Sequence, residues 1–219
     1  MARKYDSVIF DLDGTLTDSG PGIMRCAAAA MDELNVSFDR SAESLRVFVG
    51  PPLSKIFAEF GVPADQVEKA ITIYREHYVK GGGKYENIPY DGIRGLLERL
   101  RKDGCRLYVA TTKPEGLSVD ILDHFELSSC FDVIAGATID HSREKKADIL
   151  RYLLEQIKES GTEASRVVMI GDTVFDVEGA AALGIPCIGV SWGYGSVEEM
   201  ERAGACGIAH TMDELYELL

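Results

Sequence analysis

Five short runs of apolar and β-branched residues recur along this 219-residue chain. They lie at 6–10 (DSVIF), 106–110 (RLYVA), 131–135 (FDVIA), 166–170 (RVVMI) and 186–190 (PCIGV). Each has the length of a strand, and its apolar residues run on continuously, which marks strands covered on both faces. Helix-like stretches at 92–103, 115–125, 144–159 and 176–183 alternate with the last four runs. That alternation predicts an α/β fold: a parallel sheet core with helices on both faces, its crossovers right-handed.

Residues 16–88 break the rhythm. They read as helical at 21–34, 41–48, 52–60 and 64–80, separated by turn signals such as "GPPL" at 50–53 and "GVPAD" at 61–65. The expected organisation is therefore an α/β core at 1–15 and 89–219, with a small α-helical domain at 16–88 inserted after the first strand. "GGGKYENIPYDG", 81–92, reads as a flexible return to the core, with Gly81, Gly82 and Gly83 as its hinge. The formal net charge of −13 argues against nucleic acid and anionic membranes as partners. Five scattered cysteines without C-x-x-C spacing suit free thiols in a reducing cytoplasm. An apolar leader and a membrane-spanning run are not expected either.

In open α/β sheets ligands sit beyond the carboxyl ends of the strands. After the first run come Asp11 and Asp13; after the second, Thr111 and Thr112; after the fourth, Gly171, Asp172 and Asp176. Lys145 and Lys146 open the stretch 144–159. A lone Asp at a strand end is most often a cap or turn former. Four acids on one rim with little basic company are different, because crowded carboxylates repel unless a cation joins them. Hard oxygen donors of this kind suit magnesium, which binds through few carboxylates and leaves positions for a phosphate.

"DLDGT" at 11–15, the Thr closing "RLYVAT", a Lys before a long helix and "GDTVFD" at 171–176 resemble, in order, the four motifs of the haloacid dehalogenase superfamily. "GPPL", "TTKP" at 111–114 and "WGYGS" at 192–196 resemble its phosphoglycolate phosphatase-like branch, whose Rossmann-like core carries an α-helical cap. The resemblance implies a magnesium-dependent phosphatase acting on a small phosphomonoester through an aspartyl-phosphate. Asp11 would be the nucleophile, ionised at neutral pH with no special tuning. Asp13 would be the general acid and then the base, pointing the same way two residues along an extended backbone. Thr111, Thr112 and Gly14 would surround the phosphoryl group, Gly14 also allowing a tight departure from the strand. Asp11, Asp13 through its carbonyl, Asp172 and Asp176 would form the magnesium set, with Asp176 acting through water or orienting the lysine. Both Lys145 and Lys146 fit the phosphate-binding lysine. Lys146 is preferred because "KADIL" sets apolar residues three and four positions after it.

The remaining signals are weaker. Lys113 is a substrate-binding candidate or an exposed loop lysine. Leu53 and Lys55, beside a stiff Gly-Pro-Pro turn, are candidates for choosing the substrate; a plain helix connection explains that turn equally well. "GGGK" at 81–84 lacks the Ser/Thr of a P-loop, and "GVSWGYGS" at 189–196 reads as a loop over the site. His77, His124, His141 and His210 are too dispersed for a metal set. The dehalogenase chemistry of the superfamily is disfavoured by Asp13. A phosphomutase and a non-catalytic magnesium or phosphate-binding protein remain as rivals. Phosphoglycolate, a nucleoside monophosphate and a sugar phosphate are all open as substrate, and the oligomeric state is not readable.

Overall fold

The computed structural model describes residues 3–51, 53–140, 142–161 and 166–219, so Pro52 of the "GPPL" turn and His141 lie outside the described residues. The strands are β1 (Ser7–Phe10), β2 (Thr17–Asp18), β3 (Ile88–Pro89), β4 (Arg106–Pro114), β5 (Val133–Ala137), β6 (Val167–Gly171), β7 (Cys187–Val190) and β8 (Gly207–Ala209). Six of them form one sheet in the order β5-β4-β1-β6-β7-β8, with every described pairing parallel. The helices are α1 (Gly20–Glu33), α2 (Ala42–Leu45), α3 (Leu53–Glu59), α4 (Val67–Arg75), α5 (Ile93–Lys102), α6 (Glu115–His124), α7 (Lys146–Glu159), α8 (Val174–Ala181), α9 (Val197–Arg202) and α10 (Met212–Leu218).

Two compact units divide the chain: residues 1–17 with 89–219, and residues 18–88. In the first, both sheet faces are buried. Val8, Phe10, Leu107, Val109, Val168 and Ile170 pack on one side with α5 and α10. Ile9, Tyr108, Met169 and Cys187 pack on the other with α7 and α8. This two-sided burial is why the strand runs are apolar without alternation. The C-terminal segment adds β8, α9 and α10, which the sequence did not announce; β8 is only three residues long. β5 begins two residues later than expected, because Phe131 closes a tight turn by bonding its N–H to the Ser128 carbonyl.

The second unit is helical. α1, α3 and α4 enclose a ring cluster in which Phe48 meets Phe57 at 5.1 Å and Phe60 at 4.9 Å. α2 is shorter than the expected 41–48 and runs into a 3-10 turn at Arg46–Phe48. The chain crosses between units at 17/18 and 88/89, where β2 and β3 pair as a two-stranded ribbon. Gly81, Gly82 and Gly83 therefore lie inside the helical unit rather than at its crossings. Gly83 is buried, and a Cβ there would collide with the Cys26 sulfur of α1. Among the described residues, no helix is long and apolar enough to cross a membrane.

Candidate active site

The central strand β1 delivers the first acids. Its register with β4 and β6 pairs Phe10 with Val109 and Ile170. The residues just beyond therefore share one rim. Asp11 follows Phe10, Thr111 closes the buried run of β4, and Asp172 follows β6. Asp11 donates its backbone N–H to the Ile170 carbonyl at 2.9 Å, which locks this register. Gly14 turns the chain away with φ of 84°; a Cβ there would collide with the Asp172 carboxylate. Its lack of a side chain thus serves the close approach of Asp172 as well as the turn.

Asp172 and Asp176 are fully buried and Asp11 nearly so. Oxygens of these three lie within 4.8 Å of one another. Lys146, at the start of α7, puts its ammonium 2.9 Å from Asp11 Oδ1 and 2.8 Å from Asp176 Oδ1. It also donates to the Ala110 carbonyl at 2.8 Å. Lys145 is the exposed residue before the helix. Asp176 Oδ2 accepts from the Thr173 N–H and hydroxyl, closing a capping box at the start of α8. Asp172 Oδ1 accepts from the Thr15 hydroxyl at 3.2 Å, and Oδ2 from the Tyr194 N–H at 2.8 Å.

Burial shifts these groups. Desolvation raises the Asp11 carboxyl to about 6, with Lys146 opposing and Asp176 adding to the rise. Burial works against ionisation of Asp11, and the neighbouring ammonium supports it. Asp172 is raised to about 8, first by burial and then by the charges of Asp176 and Asp11. Burial alone would lower Lys146, but Asp11 and Asp176 hold it above its usual value. Asp11 Oδ1 and Asp176 Oδ1 are buried with no directed hydrogen bond, despite their ion pairs with Lys146. Three buried carboxylates against one ammonium leave uncompensated negative charge, and the donors are all hard oxygens. That set fits magnesium.

Asp13 stands beside this cluster. Its Oδ2 is 2.8 Å from the Lys113 ammonium, and its Oδ1 is buried without a hydrogen-bond partner. Lys113, whose side chain is 8% exposed, is thus a buried partner of Asp13 rather than an exposed loop lysine. The backbone N–H of Lys113 donates to Thr111 Oγ1 at 3.2 Å, while Thr112 is exposed on β4. Leu53 and Lys55 belong to the helical unit, at the first turn of α3, where Lys55 faces Glu59 at 3.9 Å. His77 pairs with Glu33 in the helical unit, and His210 bonds Ser191 in the other. Thr15 and the Tyr194 amide were missed in the sequence. So was Arg143, which bonds the Gly136 carbonyl and Glu115 and steadies the loop leading to Lys146. Only the T-x-x-D spacing of Thr173 and Asp176 was there to be read as a capping signal.

The chain is similar to known proteins in both sequence and fold. A model of the family described as haloacid dehalogenase-like hydrolase matches residues 8–190. The tyrosine-protein kinase PtkA of Mycobacterium tuberculosis is 40% identical over 97% of this chain and 72% of its own length. A 5'-nucleotidase of Pseudomonas aeruginosa is 38% identical over 91% of this chain and 88% of its own. A phosphoglycolate phosphatase of Pseudomonas fluorescens is 35% identical over 85% and 70%. Among solved structures, a predicted phosphatase from Clostridium acetobutylicum superposes with a TM-score of 0.85 at 40% identity, covering 97% of each chain.

Proposed function

This chain belongs to the haloacid dehalogenase-like hydrolases, and from that premise we propose how it works as a phosphoric monoester hydrolase: through an aspartyl-phosphate on Asp11, with magnesium held by Asp11, the Asp13 carbonyl, Asp172 and Asp176. The observation that carries the reading is the buried trio Asp11, Asp172 and Asp176, within 4.8 Å of one another, beside a single buried ammonium. When bound, magnesium supplies positive charge toward the phosphoryl oxygens.

The chain's own groups do the rest. An Asp11 oxygen attacks phosphorus and the ester oxygen leaves, taking a proton from Asp13. Asp13 then accepts a proton from the water that attacks the acyl phosphate, releasing inorganic phosphate and restoring Asp11. Lys146 offsets the charge of Asp11 and of the phosphoryl group. The Thr111 hydroxyl and the Thr112 N–H bind the equatorial oxygens; charge spread over those oxygens makes positioning and cations the main sources of rate. Lys113 holds Asp13 and is assigned as a candidate contact to the substrate.

The helical unit enters the chain directly after the motif of Asp11 and Asp13. We assign it the part of a cap that chooses the substrate, with Leu53 and Lys55 as the residues to test. The substrate is a small phosphorylated metabolite. A 5'-nucleotide and phosphoglycolate are the first to try, since the relatives bear those names. Five free thiols suit a cytoplasmic setting. The relative described as a tyrosine kinase supports a second reading, in which the phosphoryl group passes to a tyrosine instead of water.

One experiment separates these. The protein is incubated with p-nitrophenyl phosphate and magnesium, with and without EDTA, and in parallel with γ-labelled ATP and a tyrosine peptide. Phosphate release that EDTA abolishes supports the hydrolase. Label on the peptide without release of p-nitrophenol would replace it with the kinase.

A further inference from the structure

Asp172 is gripped by the loop that follows β7. The loop after β7 runs through Trp192, Gly193, Tyr194 and Gly195 before Ser196 caps α9. The Tyr194 N–H donates to Asp172 Oδ2 at 2.8 Å. A Cβ at Gly193 would collide with the Asp172 side chain, and one at Gly195 with the Asp172 carbonyl oxygen. Backbone therefore lies flat against both ends of this residue, where any side chain would push it away. The Trp192 indole N–H donates to the Thr15 carbonyl at 3.2 Å, and the Thr15 hydroxyl donates to Asp172 Oδ1 at 3.2 Å. The Trp192 ring meets Tyr90 edge-on, with centroids 6.4 Å apart. Loop, first-motif turn and carboxylate thus close a circuit, with each Asp172 oxygen fixed by one donor.

We infer that the 192–195 loop is a positioning clamp for Asp172: it sets the direction in which that carboxylate faces Asp11 and Asp176, and so sets the affinity for magnesium, while touching no substrate. The inference rests on the reading of Asp172 as a magnesium ligand. The physical reason is that a buried carboxylate with free rotation would turn toward whatever donor it found. Groups that bond a metal ligand from behind hold its direction, and their loss weakens metal binding by roughly 10–100-fold. Trp192 is also the single tryptophan of the chain, so the clamp carries its own optical reporter.

The test is magnesium binding to the full chain without substrate, by calorimetry and by tryptophan emission. Magnesium is expected to change the emission of the wild-type protein with the same midpoint as the calorimetric titration. Gly193→Ala is expected to weaken binding about tenfold or more. Trp192→Phe, which keeps a ring against Tyr90 and loses the N–H, weakens it by a smaller factor. Gly95→Ala on α5, where a Cβ meets open space, keeps wild-type affinity. Wild-type affinity in both loop variants, with binding lost in Asp172→Ala, overturns the clamp and leaves the metal site standing. Unchanged binding in Asp172→Ala overturns the metal site, and the clamp with it. If Gly193→Ala does not fold, the other two readouts decide: wild-type affinity in Trp192→Phe together with silent emission at saturating magnesium overturns the clamp.

Discussion

The rim of the parallel sheet and the interior of the helical unit are both closed to solvent, and they bury different things. At the rim, Asp11, Asp172, Asp176 and Lys146 occupy space that a core gives to hydrocarbon. In the helical unit the space is filled by rings: Phe57 meets Tyr74 edge-on at 6.4 Å, and Tyr74 stacks on Tyr78 at 5.5 Å. The buried charge there, Lys84, lies over the Tyr85 ring. Burying rings stabilises a fold through area and packing alone. Burying carboxylates costs stability unless cations and donors meet them. A region that carries such a cost has a use for the charge, whereas one packed by rings is constrained by shape instead. The contrast separates a region held by charge balance from one held by packing.

The largest effect expected is on turnover. Asp11→Asn keeps the shape and removes the nucleophile, so kcat should fall about a thousandfold or more, with an unchanged circular dichroism spectrum. More than a few per cent of wild-type turnover in a folded variant would sink the assignment. Lys146→Met strips the rim of its buried cation and should cost about 3–5 kcal/mol in urea unfolding. Magnesium should recover part of that loss. A wild-type midpoint would show that the rim does not depend on its charge balance.

In the helical unit, Gly22→Ala would drive a methyl into the Gly83 carbonyl. Destabilisation of about 1–3 kcal/mol is expected, with calorimetric magnesium affinity unchanged; altered magnesium binding would break the division of labour.

The pH dependence follows from the rim's raised carboxyls. Asp11 and Asp172 have folded pKa values above those of the unfolded chain, about 6 and about 8. The folded metal-free protein therefore holds more protons than the unfolded chain between roughly pH 4 and 8, and its stability falls as pH rises through that window. Lys146, raised in the folded state, contributes stability that stays constant across the window and is lost only at higher pH. Urea midpoints without magnesium should thus decline from pH 5 to pH 8, and Asp172→Asn should flatten the decline. A midpoint that rises over this range would contradict the burial cost. The smallest effect is the double change Leu53→Ala and Lys55→Ala. It should lower kcat/KM severalfold for the best natural substrate and leave p-nitrophenyl phosphate unaffected. Equal losses on both would move substrate choice to other residues.

Five strands of the sheet and the helices α5 to α8 were legible, the strands because two-sided burial writes continuous apolar runs into sequence. Val8-Ile9-Phe10 and Val168-Met169-Ile170 are examples. β8 was not, because three residues flanked by turns carry too little pattern, and their pairing with β7 is a long-range fact. The Gly81–83 segment misled for a related reason: glycine is equally a sign of flexibility and of close packing, and Gly83 uses it for contact with α1.

What the sequence by itself determined about this protein is local and periodic. Strand lengths, the alternation with helices, the insertion after β1, and the equal parity of Asp11 and Asp13 all depend on neighbours within a few residues. The tertiary structure decided everything that depends on burial and on distance across the sheet. It chose Lys146 over Lys145 to face Asp11, raised the carboxyls of Asp11 and Asp172, paired Lys113 with Asp13 and brought Trp192 and Tyr194 onto the turn and acid they hold. The reason is physical: a carboxylate's proton affinity and a side chain's partners are set by the dielectric and the charges around it in space, and residues 11, 146, 172 and 194 share that space only once the sheet has formed.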